Sequence, residues 1–177
     1  IPGDNYVNNF TVAPSTGPIA ISIPNFARGP GQPVNIPASA STGIPVSFSN
    51  GGGLLSASFR ITYNPALLNI TGATTAPGMP AGTSVALFSF TPGQAEVLFT
   101  SQDPLPSGIT RFIDLQASVP SNAPYRTKQV LDISNIILSD NAAAIDDDGI
   151  AVVAYFGDTT ANGSYSSTHA SRVSRLA

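Results

Sequence analysis

The residues best suited to chemistry lie near the C-terminal end of the chain, where residues 157–177 join a polar, glycine-containing loop to a short helical pattern. A twelve-position calcium-binding loop needs side-chain oxygens at positions 1, 3, 5 and 9, a glycine at position 6 and a backbone carbonyl at position 7. Counting from Asp158, the candidate metal ligands are Asp158, Thr160, Asn162, Ser164 and Ser166. Position 12, where strong sites carry a carboxylate, is His169, a poor ligand for a hard cation. The loop therefore predicts weak calcium binding. We expect no other cofactor.

The same segment matches a longer motif. Residues 157–170 have the sequence Gly-Asp-x-x-x-Asn-Gly-x-x-x-Ser-x-x-Ala, and Leu176 follows six residues later. This pattern resembles the first half of a dockerin, a two-loop module that binds cohesin domains. The resemblance implies that Ser167 and Thr168 are recognition residues, and Arg172 on the same predicted helix is a further candidate for partner contact. The second loop of a dockerin is missing from this sequence, and the alternative is a polar turn followed by a short helix.

Catalysis has few candidate residues here. The chain has one histidine and no cysteine, so a histidine-assisted nucleophile or a zinc site would have too few members. The run Asp146-Asp147-Asp148 before Gly149 is best explained as a solvated turn, with a surface calcium site as the alternative. We therefore expect a binding protein and no enzyme activity.

Composition predicts an all-β protein. Sixteen glycines, sixteen prolines and a single lysine and glutamate argue against a helical fold, because the charged helix formers are nearly missing. A net charge of −3 with 10% charged residues, and no basic patch, makes nucleic acid an unsuitable partner. No apolar run is long enough to span a membrane. Low charge with many Ser, Thr, Gly and Asn residues is typical of an extracellular or cell-surface protein.

Alternating apolar residues predict short strands separated by Gly, Pro and Asn turns. The predicted strands are 18–24, 44–50, 54–63, 68–74, 83–90, 95–100, 110–119, 130–138 and 149–156. Eight or nine such strands fit an antiparallel two-sheet sandwich of the jelly-roll kind, followed by the C-terminal loop and helix. Residues 1–31 are rich in proline and are assigned to an N-terminal extension, in which Ile19, Ile21 and Ile23 could add a strand to the edge of a neighbouring molecule's sheet.

Three segments of the predicted sandwich carry a second resemblance. They are residues 44–50, residues 58–68 with the corner Tyr63-Asn64-Pro65, and residues 95–100 with the sequence Ala-Glu-Val-Leu-Phe-Thr. In this order and spacing the chain resembles a cohesin domain over residues 32–156. A cohesin-like sandwich followed by a dockerin-like half module at 157–177 resembles the non-cellulosomal proteins that carry both elements.

The resemblance implies a partner surface on one sheet face. If Phe59 and Ile61 point into the core, their neighbours point outward, and the same holds around Val97 and Phe99. The candidate partner-binding residues on the two strands are Ser58, Arg60, Thr62, Glu96, Leu98 and Thr100. An outward leucine rimmed by charge is the expected anatomy of a binding hot spot. The alternative is an ordinary sheet surface with one exposed leucine.

Together these features predict a non-catalytic extracellular protein-interaction or scaffolding module that binds a dockerin-like or cohesin-like partner. Copies could join head to tail into a filament, because each carries a receptor-like sandwich and a plug-like tail. The alternative function is a carbohydrate-binding module, although the sequence has no tryptophan and its five tyrosines form no evident platform. Sequons at Asn9, Asn69 and Asn162 would permit glycan attachment.

Overall fold

The computed structural model describes residues 17–37, 39–40, 42–108, 110–158, 160 and 162–164. They form eleven β-strands, so the fold is all-β as the composition predicts, with two strands more than the nine predicted. In chain order the strands are β1 (Ile19–Ser22), β2 (Phe26–Arg28), β3 (Ile44–Ser49), β4 (Ser56–Thr62), β5 (Asn69–Thr75), β6 (Ser84–Thr91), β7 (Gln94–Thr100), β8 (Thr110–Ser118), β9 (Lys128–Leu138), β10 (Ala144–Asp147) and β11 (Gly149–Val153).

The strands form two sheets with the core between them. One sheet has five strands in the order β10-β1-β3-β8-β5, and the other has six in the order β2-β11-β9-β4-β7-β6. Neighbouring strands are antiparallel except for β1 with β10 and β2 with β11, which pair in parallel. The fold is therefore the two-sheet sandwich predicted from the sequence.

Four phenylalanines at the centre of the core join the two sheets. The ring of Phe112 on β8 stacks on that of Phe48 on β3, with ring centroids 3.7 Å apart. Phe99 on β7 and Phe59 on β4 meet the Phe112 ring edge to face from the other sheet, at 5.2 Å and 6.2 Å. All four side chains are almost completely buried. Because Phe59 and Phe99 point inward, the alternate residues of β4 and β7 must face solvent.

The corner after β4 is formed by the Tyr63-Asn64-Pro65 sequence. Asn64 accepts hydrogen bonds at its backbone oxygen from the amides of Leu67 and Leu68, and at its side-chain Oδ1 from the amide of Ala66, at 2.9–3.1 Å. Tyr63 is buried, as the alternation of its strand predicts. The corner therefore directs the chain from the six-stranded sheet into β5 of the other sheet.

The N-terminal part of the described chain corrects one prediction. Residues 19–22 form β1, which lies between β10 and β3 of the same molecule. Ile19, Ile21 and Ile23 are buried in this core. They are thus not available as a donor strand, and residues 19–31 belong to the sandwich. The prediction failed because the prolines flank β1 and leave its ladder uninterrupted.

The acidic run also differs from the solvated turn expected from the sequence. Asp146 and Asp147 lie in the edge strand β10, in register with Ile21 and Ser22 of β1. Asp148 accepts a 2.8 Å hydrogen bond from the amide of Ile133. Acidic residues are tolerated here because both strand aspartates are exposed at a sheet edge.

The described residues include no membrane-spanning helix, and the predicted C-terminal helix lies beyond them. None of their elements is a helix with the length and hydrophobicity needed to cross a lipid bilayer. The candidate metal ligand Ser166 and the predicted C-terminal helix, with Ser167, Thr168 and Arg172, lie outside the described residues.

Candidate functional site

The outer face of the six-stranded sheet displays the candidate partner residues of β4 and β7 side by side. The register places Ser58 opposite Leu98, Arg60 opposite Glu96, and Ser56 opposite Thr100. The six candidates are exposed or half-buried, whereas the residues between them are buried. This arrangement follows directly from the inward direction of Phe59, Ile61, Val97 and Phe99.

Arg60 and Glu96 form an ion pair at the middle of this face. Nε of Arg60 donates a 2.7 Å hydrogen bond to Oε1 of Glu96, and Nη2 lies 2.6 Å from the same oxygen. Each side chain keeps about a third of its surface exposed: 36% for Arg60 and 35% for Glu96. An exposed pair of this kind adds only about 0.2–1 kcal/mol to stability. Its main effect is to fix the position of the guanidinium beside Glu96.

An apolar group of side chains adjoins this ion pair. Leu98 is 40% exposed, and its neighbours in the sheet are Ala86 on β6 and, across Ser58, Ile137 on β9, which is 65% exposed. Phe88, 43% exposed, lies opposite Glu96. We call Leu98, Ala86, Phe88 and Ile137 the Leu98 patch. Sequence reasoning found only Leu98 among them.

Ile137 was missed because β9 contains an irregularity. The pairing of β9 with β4 shifts between Ser58 and Arg60, and Asn135 has a positive φ of 53°. The shift changes which residues of the run Ile136-Ile137-Leu138 face solvent, so a simple alternation cannot assign them. The sequence signal that could have indicated a bulge is the asparagine itself, a residue type that tolerates positive φ, placed directly before an apolar run.

Polar groups surround the patch. Thr100 and Ser84 share a 2.8 Å hydrogen bond between their hydroxyl groups at one end of β7 and β6. Thr62 lies opposite Gln94 on one side and Asp132 on the other. The face is therefore an apolar patch with an ion pair beside it and a polar rim.

The loop that contains the candidate calcium ligands is organised around Asp158. Oδ2 of Asp158 accepts hydrogen bonds from the Tyr125 hydroxyl at 2.5 Å and from the Gly163 amide at 2.8 Å. Oδ1 accepts from the amide and hydroxyl of Thr160 at 3.2 Å, and from the Asn162 amide at 3.4 Å. The carboxylate thus closes a turn and ties it to the sandwich through Tyr125.

The charge state of Asp158 follows from these contacts. Burial raises its pKa, but the hydrogen bonds from Tyr125, Gly163, Asn162 and Thr160 together outweigh burial and hold the pKa well below its usual value. Both carboxylate oxygens face hydrogen-bond donors, and Oδ1 of Asn162 accepts from the amide and hydroxyl of Ser164, each at 3.0 Å. These hydrogen bonds order the loop, and they do not exclude a cation, because each carboxylate oxygen has two lone pairs and can accept a hydrogen bond while it binds a metal ion. Calcium binding here stays a prediction.

Two other kinds of site, a metal cluster and a tyrosine platform for sugars, can be assessed in the part of the chain that the structure describes. No cluster of three or more His, Asp or Glu residues is arranged to hold a metal ion there. Tyr125 and Tyr155 are half-buried, with ring centroids 5.8 Å apart, and Tyr155 donates a hydrogen bond to the Pro30 carbonyl at 3.2 Å. Tyr63 is buried, so the three described tyrosines form no flat sugar platform.

Comparisons with known proteins bear on the fold. No family model matches the sequence, and no curated protein matches it. Solved structures do match. A cohesin from Clostridium acetobutylicum covers 81% of this chain and 94% of its own, at 16% identity and a TM-score of 0.63. A non-cellulosomal cohesin from the archaeon Archaeoglobus fulgidus covers 77% and 91%, at 13% identity and a TM-score of 0.61.

A third neighbour was solved with a bound module. The sixth cohesin of scaffoldin B from Acetivibrio cellulolyticus, in complex with a Cel5 dockerin, covers 77% of this chain and 99% of its own, at 20% identity and a TM-score of 0.59. Identities this low show the likeness of the folds alone. The chain therefore has the cohesin-like fold that its strand sequences and its Tyr-Asn-Pro corner resemble.

Proposed function

We propose that this chain is a non-catalytic extracellular protein-binding module, and that its receptor surface is the outer face of β4, β7 and β6. The observation that carries this proposal is the Leu98 patch beside the Arg60–Glu96 pair. Leu98, Phe88 and Ile137 each leave at least 40% of their surface exposed within one face. Covering such a patch gains free energy at about 25 cal/mol per Å² of apolar area, and the polar rim sets orientation.

The partner that best fits this surface is an amphipathic helix, as in a dockerin-like module. Its apolar stripe would cover Leu98 and Ile137. Two nitrogens of Arg60 are engaged by Glu96, whereas a guanidinium carries five N–H donors, so an acceptor on the partner could also bind Arg60. The solved cohesin–dockerin complex of a structural neighbour supports this choice. The extracellular location rests on the low charge of the chain.

Leu98→Asp should weaken binding of a helical partner at least about thirtyfold, because a buried hot-spot leucine contributes about 2 kcal/mol or more. The measurement is biolayer interferometry against a panel of immobilised dockerins, with circular dichroism to verify folding. Leu55→Asp is the matched control, since Leu55 has nearly the same exposure, 41%, and precedes β4, outside the three strands of the face. Equal loss in both variants, or none in Leu98→Asp, would count against the proposed surface.

Self-assembly is a second candidate, favoured by the dockerin-like sequence of residues 157–177. In that case the tail of one copy would bind the sandwich of the next, and open head-to-tail contacts would give filaments. Deleting residues 157–177 should then leave the sandwich folded and abolish assembly, as measured by sedimentation velocity and electron microscopy. If the truncated chain assembles as well as the full chain, the tail does not link the copies. A full chain that stays monomeric removes this candidate.

The carbohydrate-binding alternative has less support. Of the exposed large apolar side chains of the described residues, only Phe88 and Phe156 are aromatic. Phe88 lies on β6 and Phe156 lies in the turn after β11, and they provide no tyrosine or tryptophan platform. A sugar site also needs polar groups that orient the sugar beside an aromatic ring. The polar groups on the Leu98 face are better explained as the rim of a protein-binding surface.

A further inference from the structure

The outer face of the six-stranded sheet has a second apolar area, away from β4, β7 and β6. Val130 on β9 and Ile150 on β11 lie directly opposite each other and are 51% and 42% exposed. The half-buried Val152 follows on β11, opposite Ala27 of the short edge strand β2. We call Val130, Ile150, Val152 and Ala27 the Val130 patch. Val130 and Ile150 are exposed cross-strand neighbours, so a segment that covered them would remove their apolar surface from water.

The end of the described chain lies beside this patch. The backbone of Val153, which ends β11, is hydrogen-bonded to Arg126 and Thr127, just before β9 begins. Tyr125 lies two residues before Thr127, and its hydroxyl donates a hydrogen bond to Asp158. The Gly163 amide donates to the same carboxylate, so the turn at 162–164 is fixed near the Tyr125 ring. The chain therefore leaves this turn at the end of the sheet where β9 starts and β11 ends.

We propose that residues 165–177 of the same molecule cover the Val130 patch. As a helix, this segment would be about 20 Å long, enough to run from the turn across β9 and β11. Ala170, Val173 and Leu176 recur every third residue and would form its apolar stripe.

Charge neither favours nor opposes this placement, because the exposed Lys128, opposite Val152 on the same face, offsets Asp132. The segment carries Arg172 and Arg175 and no acidic side chain. Asp132, exposed two residues beyond Val130 on the same side of β9, would face its C-terminal half. The turn around Asp158 thus acts as an anchor that directs the segment to its own sandwich. The Leu98 patch stays open, so this inference does not depend on the proposed function.

The chain has no cysteine, which makes engineered disulfides a clean test. Full-length protein carrying Ile150→Cys and Val173→Cys should form a disulfide within single chains under mild oxidation, at a yield that does not change on tenfold dilution. The control pair is Ile145→Cys with Val173→Cys, because Ile145 is similarly exposed, at 49%, on β10 of the other sheet. The control should give at least about fivefold less cross-linked product, since its sulfur atoms would be separated by the sandwich.

A second pair, Val130→Cys with Val173→Cys, guards against a local misfit at Ile150 and should behave like the first. Equal yields in test and control pairs would overturn the proposal, and so would no intrachain product in either test pair. Cross-links that form between tagged and untagged chains would also overturn it and would assign the tail to a neighbouring copy.

Discussion

Arg111→Met should lower the free energy of unfolding by about 3 kcal/mol at pH 7, because it leaves a buried carboxylate without its counter-charge. Asp114 on β8 is only 1% exposed and is the buried charged residue among those described. Nε and Nη2 of Arg111 lie 2.6 Å and 2.5 Å from its Oδ1, and Nη2 also donates a 2.8 Å hydrogen bond to the Thr42 hydroxyl. The measurement is urea denaturation of the wild type and the variant.

The loss should depend on pH. Burial raises the pKa of Asp114, and the hydrogen bond and charge of Arg111 lower it again in part. Without Arg111 the folded-state pKa rises further above the unfolded value of about 3.9. The folded variant then binds the proton more tightly than the unfolded chain, so its stability is greatest below that value and falls as pH rises through the folded-state pKa. The deficit against the wild type should therefore be smaller at pH 4 than at pH 7.

Arg60→Met provides the matched control, because it breaks an equally short pair that is about one-third exposed. It should cost no more than about 1 kcal/mol. Adding Asp114→Asn to Arg111→Met should recover part of the loss by removing the buried charge. If Arg111→Met and Arg60→Met destabilise the fold equally, burial is not what makes the first pair important.

Phe112→Ala should destabilise the sandwich by about 3–5 kcal/mol, the usual cost of deleting a large buried aromatic side chain. Its ring contacts Phe48 in its own sheet and Phe59 and Phe99 in the other. The cavity would open beneath β4 and β7, whose opposite faces carry Arg60 and Leu98. We therefore expect any partner affinity of the Leu98 face to fall together with stability.

The control is Phe88→Ala, which removes the same side chain from the 43% exposed position on β6. It should change the free energy of unfolding by about 1 kcal/mol or less, because little buried volume is lost. Denaturation midpoints and slopes of both variants provide the comparison. A loss below about 1 kcal/mol in Phe112→Ala would mean that the core can repack around the gap.

Most of the fold was predictable from local pattern. Nine strands were predicted, and each has an observed counterpart, because alternation such as Ala57, Phe59 and Ile61 reports directly which residues face the core. The strands β2 and β10 were missed. Both are short edge strands that pair in parallel with distant segments, and their own residues carry little alternating signal.

The candidate surface was predictable only in part. Arg60, Glu96 and Leu98 follow from the alternation of two regular strands. Ile137, Ala86 and Phe88 complete the apolar patch, and their place depends on the register between strands and on the shift in β9. Neither the register between strands nor the shift in β9 can be read from a single segment of sequence.

By itself, the sequence determined the class of the protein: strand periods, turn residues and a composition with only 10% charged residues indicate a two-sheet sandwich. The tertiary structure decided which strands are neighbours, and with that which exposed side chains lie together. It also decided that Ile19 and Ile21 fill the molecule's own core and that Asp158 is bound by Tyr125. The physical reason is that side-chain direction is a local property of the backbone, whereas contacts between distant segments are fixed only when the sheets pack.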